Sequence, residues 1–430
     1  MALMSSMYTG VTGLDANSTD LSVIGDNIAN ANTIGFKGSR AAFEDALSQS
    51  LIGGGQVGLG ARVQAIQRLV TQGALMNTGL ATDLAVQGPG FFVVRGNHNG
   101  IDGQFYTRAG QFTVDRDGYL VNLDGLKVQG YPADATGAIQ TMLGDLRVGS
   151  VSAPPSATTT VTMRGNLDSN AVVPTAAWNA AAPVSMASDP TNGNYNFSTS
   201  TTVYDSLGNA IPVDVYFRKT ATGAWEWHAT TDGGNLTGGT AGTSTEIASG
   251  TLTYDASGNL TASAVTATNF NPLGAVNPQP LTFDFGSATT PGMTQYAGTS
   301  AVSFLGQDGY AAGELARISI GDDGVIQGTF TNGENRDLGQ VALADFEAPD
   351  KLERIGGNLF GEMPDSGQPT IGQPSSGGRG SLVAGALEQS NVDLATEFVR
   401  MISAQRGFQA NSKTISTADQ LLAELMNLKR

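Results

Sequence analysis

Residues 7–37 read MYTGVTGLDANSTDLSVIGDNIANANTIGFK. The spacing of the apolar and small residues in this stretch decides the fold. Met7, Val11, Leu14, Ser18, Leu21, Gly25 and Ile28 recur at alternating intervals of four and three, with Ile24 widening the stripe. That is the period of an α-helix carrying a narrow, coiled-coil-like seam. The other end of the chain repeats it through Leu394, Phe398, Met401, Gln405, Phe408, Ser412, Ile415, Asp419, Leu422 and Leu425 or Met426. Ser390 followed three residues later by Asp393 predicts a capping box opening this second helix. At 1.5 Å per residue, helices of ~25 and ~36 residues run roughly 38 and 54 Å. Two such helices can pack on each other within one chain. One pair does not bury every apolar group in both stripes, however, so contact with helices of other copies is expected as well. Gly25, Gly407, Gln405 and Asp419 weaken the seam for an ordinary two-chain coiled coil.

Proline separates these ends from the middle. All 16 prolines lie between Pro89 and Pro374, and Trp178, Trp225 and Trp227 are central too. The absence of proline at both ends therefore permits long helices there. The middle reads as short strands, among them Phe91–Val94, Phe112–Val114 and Tyr119–Val121, joined by turns with an Asp…Gly theme. Such turns occur at Asp115–Gly118, Asp205–Gly208, Asp255–Gly258 and Asp322–Gly324, where Asp caps the turn and Gly takes the positive φ. Glycine-rich stretches at 31–60 and 356–380 read as extended connectors. The expected fold is mixed α and β and multidomain. Long terminal helices form a coiled-coil-like inner domain (1–30 with 390–430), followed by an extended linker region (31–70 with 371–389). Antiparallel all-β outer domains complete it, one at 71–150 with 305–370 and one inserted at 151–304.

Composition removes most chemistry. With 22 Lys+Arg against 38 Asp+Glu the net charge is −16, a poor match for a phosphate backbone, so no nucleic-acid partner is expected. The absence of cysteine excludes disulfides and thiolate metal sites, and His98 and His228 are too few for a histidine-rich one. No apolar run is long enough to insert in a membrane. The first basic residue is Lys37, so no secretory signal is expected either. Gly53–Gly58 matches G-x-G-x-x-G outside any βαβ unit and reads as linker. Asp115-x-Asp117-Gly118 lacks the remaining ligands of a calcium loop. No nucleophile or metalloprotease motif is present, so neither catalytic, cofactor nor metal residues are assigned and no enzyme is expected.

Two terminal segments carry a family resemblance. Residues 25–37, GDNIANANTIGFK, resemble the "NNIANxNTxGFK" signature of bacterial flagellar rod and hook proteins, with Asp26 where Asn is common. Residues 390–399, SNVDLATEFV, and 404–411, AQRGFQAN, resemble that family's C-terminal helix. Internally, 83–94 and 106–120 are similar to its first β-domain, and 202–217 to the outer domain of its hook members. About 150 residues between Val148 and Gly306 are room for one further domain, which favours the hook branch over the distal rod branch.

The resemblance implies a self-assembling, curved and flexible tube that transmits motor torque to the filament and encloses an export channel. It implies as partners many copies of the chain itself, the distal rod, hook cap and hook–filament junction proteins, and the type III export apparatus. It places the chain in the hook outside the cell surface, exported without a cleaved signal peptide. The assembly interface is then expected at Met7, Val11, Leu14, Leu21, Ile24, Ile28, Leu394, Phe398, Met401, Phe408, Ile415, Leu422 and Leu425. The family-motif residues are Asn27, Asn30, Asn32, Thr33, Gly35, Phe36, Lys37, Asn391, Val392, Asp393, Gln405 and Arg406. A distal rod subunit with an insertion, or a secreted β-rich adhesin on an oligomerising helical stalk, would share part of this pattern.

Overall fold

Both terminal stripes close as helix: α1 spans Ala2–Ala29 and α2 spans Leu394–Leu428. The structure, a computed structural model, describes residues 2–46, 49–50, 56–134, 136–149, 151–287 and 292–428. Gly53–Gly55 of the glycine-rich match lie outside the described residues, as do the side chains of Leu425 and Met426.

The two helices pair within the chain. A Cβ on Gly10 would stand 2.9 Å from Ile415 Cγ1, one on Gly13 2.6 Å from Asn411 Nδ2, and one on Gly407 2.6 Å from Asn17 Oδ1. Numbers rise on α1 as they fall on α2, so the pair is antiparallel. Of the two glycines read from sequence as weak points, Gly407 sits at this close approach, where a Cβ would press on the Asn17 side chain, whereas Gly25 has open space around it. On α2 the face laid against α1 buries Glu397, Ala404 and Ala418, with Ile415 half buried. Phe398, Gln405, Phe408, Ser412 and Asp419, placed in the seam by periodicity, all lie outside it and are exposed. Periodicity fixes a stripe but not which of two adjacent stripes meets a given partner. The stripe of small residues wins because it permits the closer approach.

The helix start also differs from the expected capping box. Asp393 Oδ1 accepts the Thr396 N–H (3.0 Å), which makes Asp393 the N-cap. Ser390 Oγ accepts the Val392 N–H at 3.3 Å instead.

Two compact units divide the chain. The first comprises Met1–Val151, Leu315–Thr329 and Asn335–Arg430; the second comprises Ser152–Glu314 and Phe330–Glu334. Within the first, the stretch read as connector holds an antiparallel hairpin, Ser39–Asp45 with Ala61–Arg68. The returning stretch is paired as well, Ser381–Ala384 with Leu84–Gln87 and Ala386–Glu388 with Leu75–Asn77. Pairing satisfies backbone groups that an irregular connector would leave to water. The β-body of this unit is antiparallel around the strands Phe91–His98 and Ile101–Thr107. Its core includes Phe91, Val93, Tyr106, Phe346 and Phe360, the rings meeting edge to face.

The second unit is built on a five-stranded antiparallel meander: Phe197–Tyr204, Ala210–Ala221, Ala224–Asp232, Ser244–Tyr254 and Leu260–Thr268. Strict alternation sends Val213, Val215, Phe217, Trp225 and Trp227 to one buried face. That face packs on a small sheet around Thr160–Asn166, which pairs antiparallel with Ala301–Gln307. Two short parallel pairings, to Thr282–Asp284 and Met293–Thr294, depart from the all-antiparallel expectation.

The opposite face of the meander is capped by Trp178, stacked 4.4 Å from the His228 ring. Trp178 Nε1 donates to Glu246 Oε2 (2.7 Å), and His228 Nδ1 lies 2.9 Å from the same oxygen. Burial lowers the His228 pKa and Arg218 adds to this, against the pull of Glu246 and Glu226. The Asp…Gly turns form as read, with Asp115, Asp205, Asp255 and Asp323 each accepting the N–H two residues on.

Candidate assembly surface

Most residues of the terminal motif are structural ties rather than contact surface. Asn27, buried at the end of α1, donates from Nδ2 to the Ser39 carbonyl (2.7 Å) and to Glu397 Oε2 (3.2 Å), and its Oδ1 accepts the Ser39 N–H (2.9 Å). One amide thus joins α1, the hairpin and α2. Asn30 closes the helix by donating to the Asp26 carbonyl (2.9 Å), and Thr33 Oγ1 donates to Asn30 Oδ1 (3.2 Å). Gly35 has φ +70°, and a Cβ there would lie 2.6 Å from the Ala109 nitrogen, so only glycine fits. Asn391 holds the other chain end: its Oδ1 accepts the Gly38 N–H (2.8 Å) and its Nδ2 donates to the Leu69 carbonyl (2.7 Å). Val392 packs over Gly38. Asn32, Gln405 and Arg406 are exposed.

Lys37 ends this series in a buried ionic cluster. Its Nζ donates to Glu388 Oε1 (2.5 Å) and the Thr71 carbonyl (2.8 Å), while Arg108 Nη1 donates to Glu388 Oε2 (3.2 Å). Arg108 also donates to the carbonyls of Val86 (3.3 Å) and Gly88 (2.7 Å), and Glu388 Oε1 accepts the Gly73 N–H (2.8 Å). Burial lowers the pKa of Lys37 and of Arg108, and Glu388 opposes the shift in each. One carboxylate therefore neutralises two desolvated cations from distant parts of the chain. Such a cluster is weak as a source of stability but demanding in geometry. The Glu388 and Arg108 roles were not read from sequence. The available signal was a lone acid following Ala386-Leu387 in a chain with only 14% charged residues.

The expected interface residues divide by exposure. Ile24 is buried, and Met7, Leu14, Leu21, Ile28, Met401, Ile415 and Leu422 are half buried. Val11 (49%), Leu394 (41%), Phe398 (50%) and Phe408 (39%) are exposed. The structure adds Tyr8, Val399, Ile402 and Leu421 to the exposed apolar set. Leu394, Phe398 and Ile402 follow at four-residue intervals and so line one outward row of α2. Between the helices, burial raises the Asp20 pKa and Glu397 adds to it, against Arg400. A carboxylate raised in this way opposes helix pairing once ionised, so the pair tightens as pH falls.

Among the described residues no group of acidic or histidine side chains is placed to hold a metal ion. Among the described residues no helix is long and apolar enough to cross a membrane. The arrangement leaves the apolar row Leu394, Phe398 and Ile402 uncovered on a helix whose start is tied down by Asn391 and Asn27.

Comparison with known proteins agrees along the whole chain. Residues 7–37 match the family described as flagella basal body rod protein, and 85–169 the flagellar hook protein FlgE/F/G D1 domain. Residues 166–310 match the flagellar basal body protein FlaE D2 domain, and 383–428 the C-terminal family of flagellar basal body rod FlgEFG proteins. The chain is 38% identical to the flagellar hook protein FlgE of Borreliella burgdorferi, covering 99% of this chain and 100% of that one. It is 37% identical to the Escherichia coli flagellar hook protein FlgE, covering 97% and 98%. In fold it is similar to the crystal structure of Helicobacter pylori flagellar hook protein FlgE2, with TM-score 0.50 and 17% identity over 73% of this chain and 100% of that one.

Proposed function

The chain belongs to the flagellar hook protein family, and from that premise we propose that its copies join through the outward row of α2 to form the tube of the hook. It is a structural subunit of the bacterial flagellar hook, a polymeric part of the flagellum. The observation that carries the reading is the row Leu394, Phe398 and Ile402, left uncovered by α1. Fully burying such a side chain from water contributes about 1.5–3 kcal/mol, and these three, already half covered, gain about half of that each against a neighbour. Repeated along a lattice, that is ample to drive polymerisation. Val11 and Tyr8 on α1, and Val399, Phe408 and Leu421 on α2, supply further contacts with other copies.

In this reading the helices form the inner wall of the tube around an export channel. The β-regions form its outer wall, and the tube acts as a curved, flexible joint passing torque to the filament. Their Thr-, Asn- and Gly-rich, charge-poor exterior lets outer contacts slide with few ion pairs to break. At its two ends the tube meets the distal rod, the hook cap and the hook–filament junction proteins. The subunit travels through the type III apparatus with no signal peptide removed, and it catalyses no reaction.

The test is Phe398→Asp in the full-length chain, followed by electron microscopy and sedimentation. Tube formation is expected to fall at least tenfold, with the melting profile of the soluble protein unchanged. Tubes at the parent's yield would refute the outward row as the contact.

A further inference from the structure

Asp26 carries the wrong sign for its place. A carboxylate in the last turn of a helix meets the negative end of the helix dipole. Its two oxygens have separate partners. Oδ1 accepts from Asn30 Nδ2 (3.0 Å) within the same turn, whereas Oδ2 accepts from Arg354 Nη1 (2.8 Å) on the strand Glu353–Gly356 of the β-body. The Arg354 guanidinium also lies 5.1 Å over the Phe36 ring. Both side chains of the pair are nearly half exposed, 45% for Asp26 and 41% for Arg354, so water and salt reach it.

A second guanidinium bears on Arg354. Arg68, on the hairpin, donates to the Leu352 carbonyl (2.8 Å) and sits 4.7 Å over Phe360. Burial lowers Arg68 to about 10, and the charge of Arg354 adds to that shift. Arg354 therefore feels attraction from the end of α1 and repulsion from the hairpin. A cleft of about 430 Å³, lined in part by Phe36, Arg354 and Asn358, gives it room to leave.

We propose that Asp26–Arg354 is a releasable charge strap that sets the angle of the helix pair on the β-body, with Lys37–Glu388–Arg108 as the fixed pivot. The contrast is physical. The pivot is shielded from solvent on every member, so its opening exposes three bare charges to a poor environment. The strap is a half-exposed pair screened by salt, so it opens and closes under thermal or mechanical load.

The readout rests on the assembly proposed above. Bending persistence length is measured by electron microscopy on tubes of the full-length chain at low and high salt. The parent is expected to soften roughly two-fold at high salt, as an exposed pair is screened. Asp26→Asn keeps the contact with Asn30 and removes the unfavourable helix-end charge. Its tubes are expected to show the parent's high-salt stiffness at low salt and no further salt response, while Arg354→Lys retains part of the response. Parent stiffness and parent salt response in Asp26→Asn would overturn the strap. A double-mutant cycle of Asp26→Asn with Arg354→Gln, read as amide-exchange protection at Asn30, Thr33 and Phe36 in the soluble chain, provides a second reading. Zero coupling there overturns the strap, whereas coupling without any parent tubes upholds it and counts against the assembly reading instead.

Discussion

The helix pair and the second unit (Ser152–Glu314 with Phe330–Glu334, the outer unit by its proposed place in the tube wall) solve opposite problems. In the outer unit, Trp225, Trp227, Phe217, Phe283 and Phe285 fill a core with almost no exposed surface, and the strands alternate cleanly between that core and solvent. In the helix pair, Gly10, Gly13, Ala404, Gly407 and Ala418 bring two backbones together, while Phe398, Ile402 and Phe408 stay outside. One region spends its large apolar residues on itself; the other withholds them. A subunit domain stable alone needs the first arrangement, and a polymerising element needs the second. The difference teaches that burial within one chain does not measure the role proposed for a residue in the assembly.

The comparison is most easily broken in the outer unit. Trp227→Ala removes the ring that packs 4.9 Å and 5.0 Å from Phe283 and Phe285. It is expected to destabilise that unit by about 3–5 kcal/mol, read by calorimetry, with the helix region's assembly competence retained. Loss of both together would erase the contrast. A smaller effect is expected from Gly10→Leu, which drives a side chain into Ile415 and forces the helices apart at about 1–3 kcal/mol. Its readout is helical circular dichroism of the polymer, and an unchanged melting curve there would show that close approach is not what holds the pair. Phe398→Asp sharpens the same contrast from the outward face, since it should leave unfolding alone and act on assembly.

The smallest effect is a pH dependence of the outer unit. The folded His228 pKa lies below its ordinary value of about 6.5 because the ring is buried beneath Trp178. The folded state then binds fewer protons than the unfolded one. The neutral ring's contribution is fully present above about pH 6.5 and is lost as pH falls through the lowered folded value. His228→Gln should flatten that part of the melting-temperature profile between about pH 7 and pH 5. A variant profile parallel to the parent's would place the sensitivity elsewhere. Glu246, Glu226, Arg218 and Tyr216 also face this site, and they are common to parent and variant.

Much of this architecture was legible in the sequence. The alternating intervals from Met7 to Ile28 and from Leu394 to Leu422 announce two long helices, because a side-chain stripe on a helix has no other period. The Asp…Gly turns announce hairpins, because Asp115 and its counterparts accept the N–H groups that close them. The terminal motifs announce the family. What periodicity withheld was the partner of each stripe. Phe398 and Ala404 lie on adjacent faces of one helix, and only the approach of Gly10 and Asn17 shows which face α1 occupies. The connectors read as extended chain, and what the sequence left out is their pairing: Ser39–Asp45 folds back on Ala61–Arg68 in a hairpin, whereas Ala386–Glu388 pairs with the distant Leu75–Asn77.

The sequence by itself determined two helical ends, a β-rich middle, the absence of thiol chemistry and membership of an axial family, since each rests on local period, composition or contiguous motif. Only the tertiary structure decided that Glu388 neutralises both Lys37 and Arg108, that Asp26 reaches Arg354, and that Phe398, Ile402 and Phe408 of α2 face outward. Those facts depend on contacts between residues hundreds of positions apart. Packing density and desolvation, which no local pattern encodes, select among the stripes and charges that the sequence makes available.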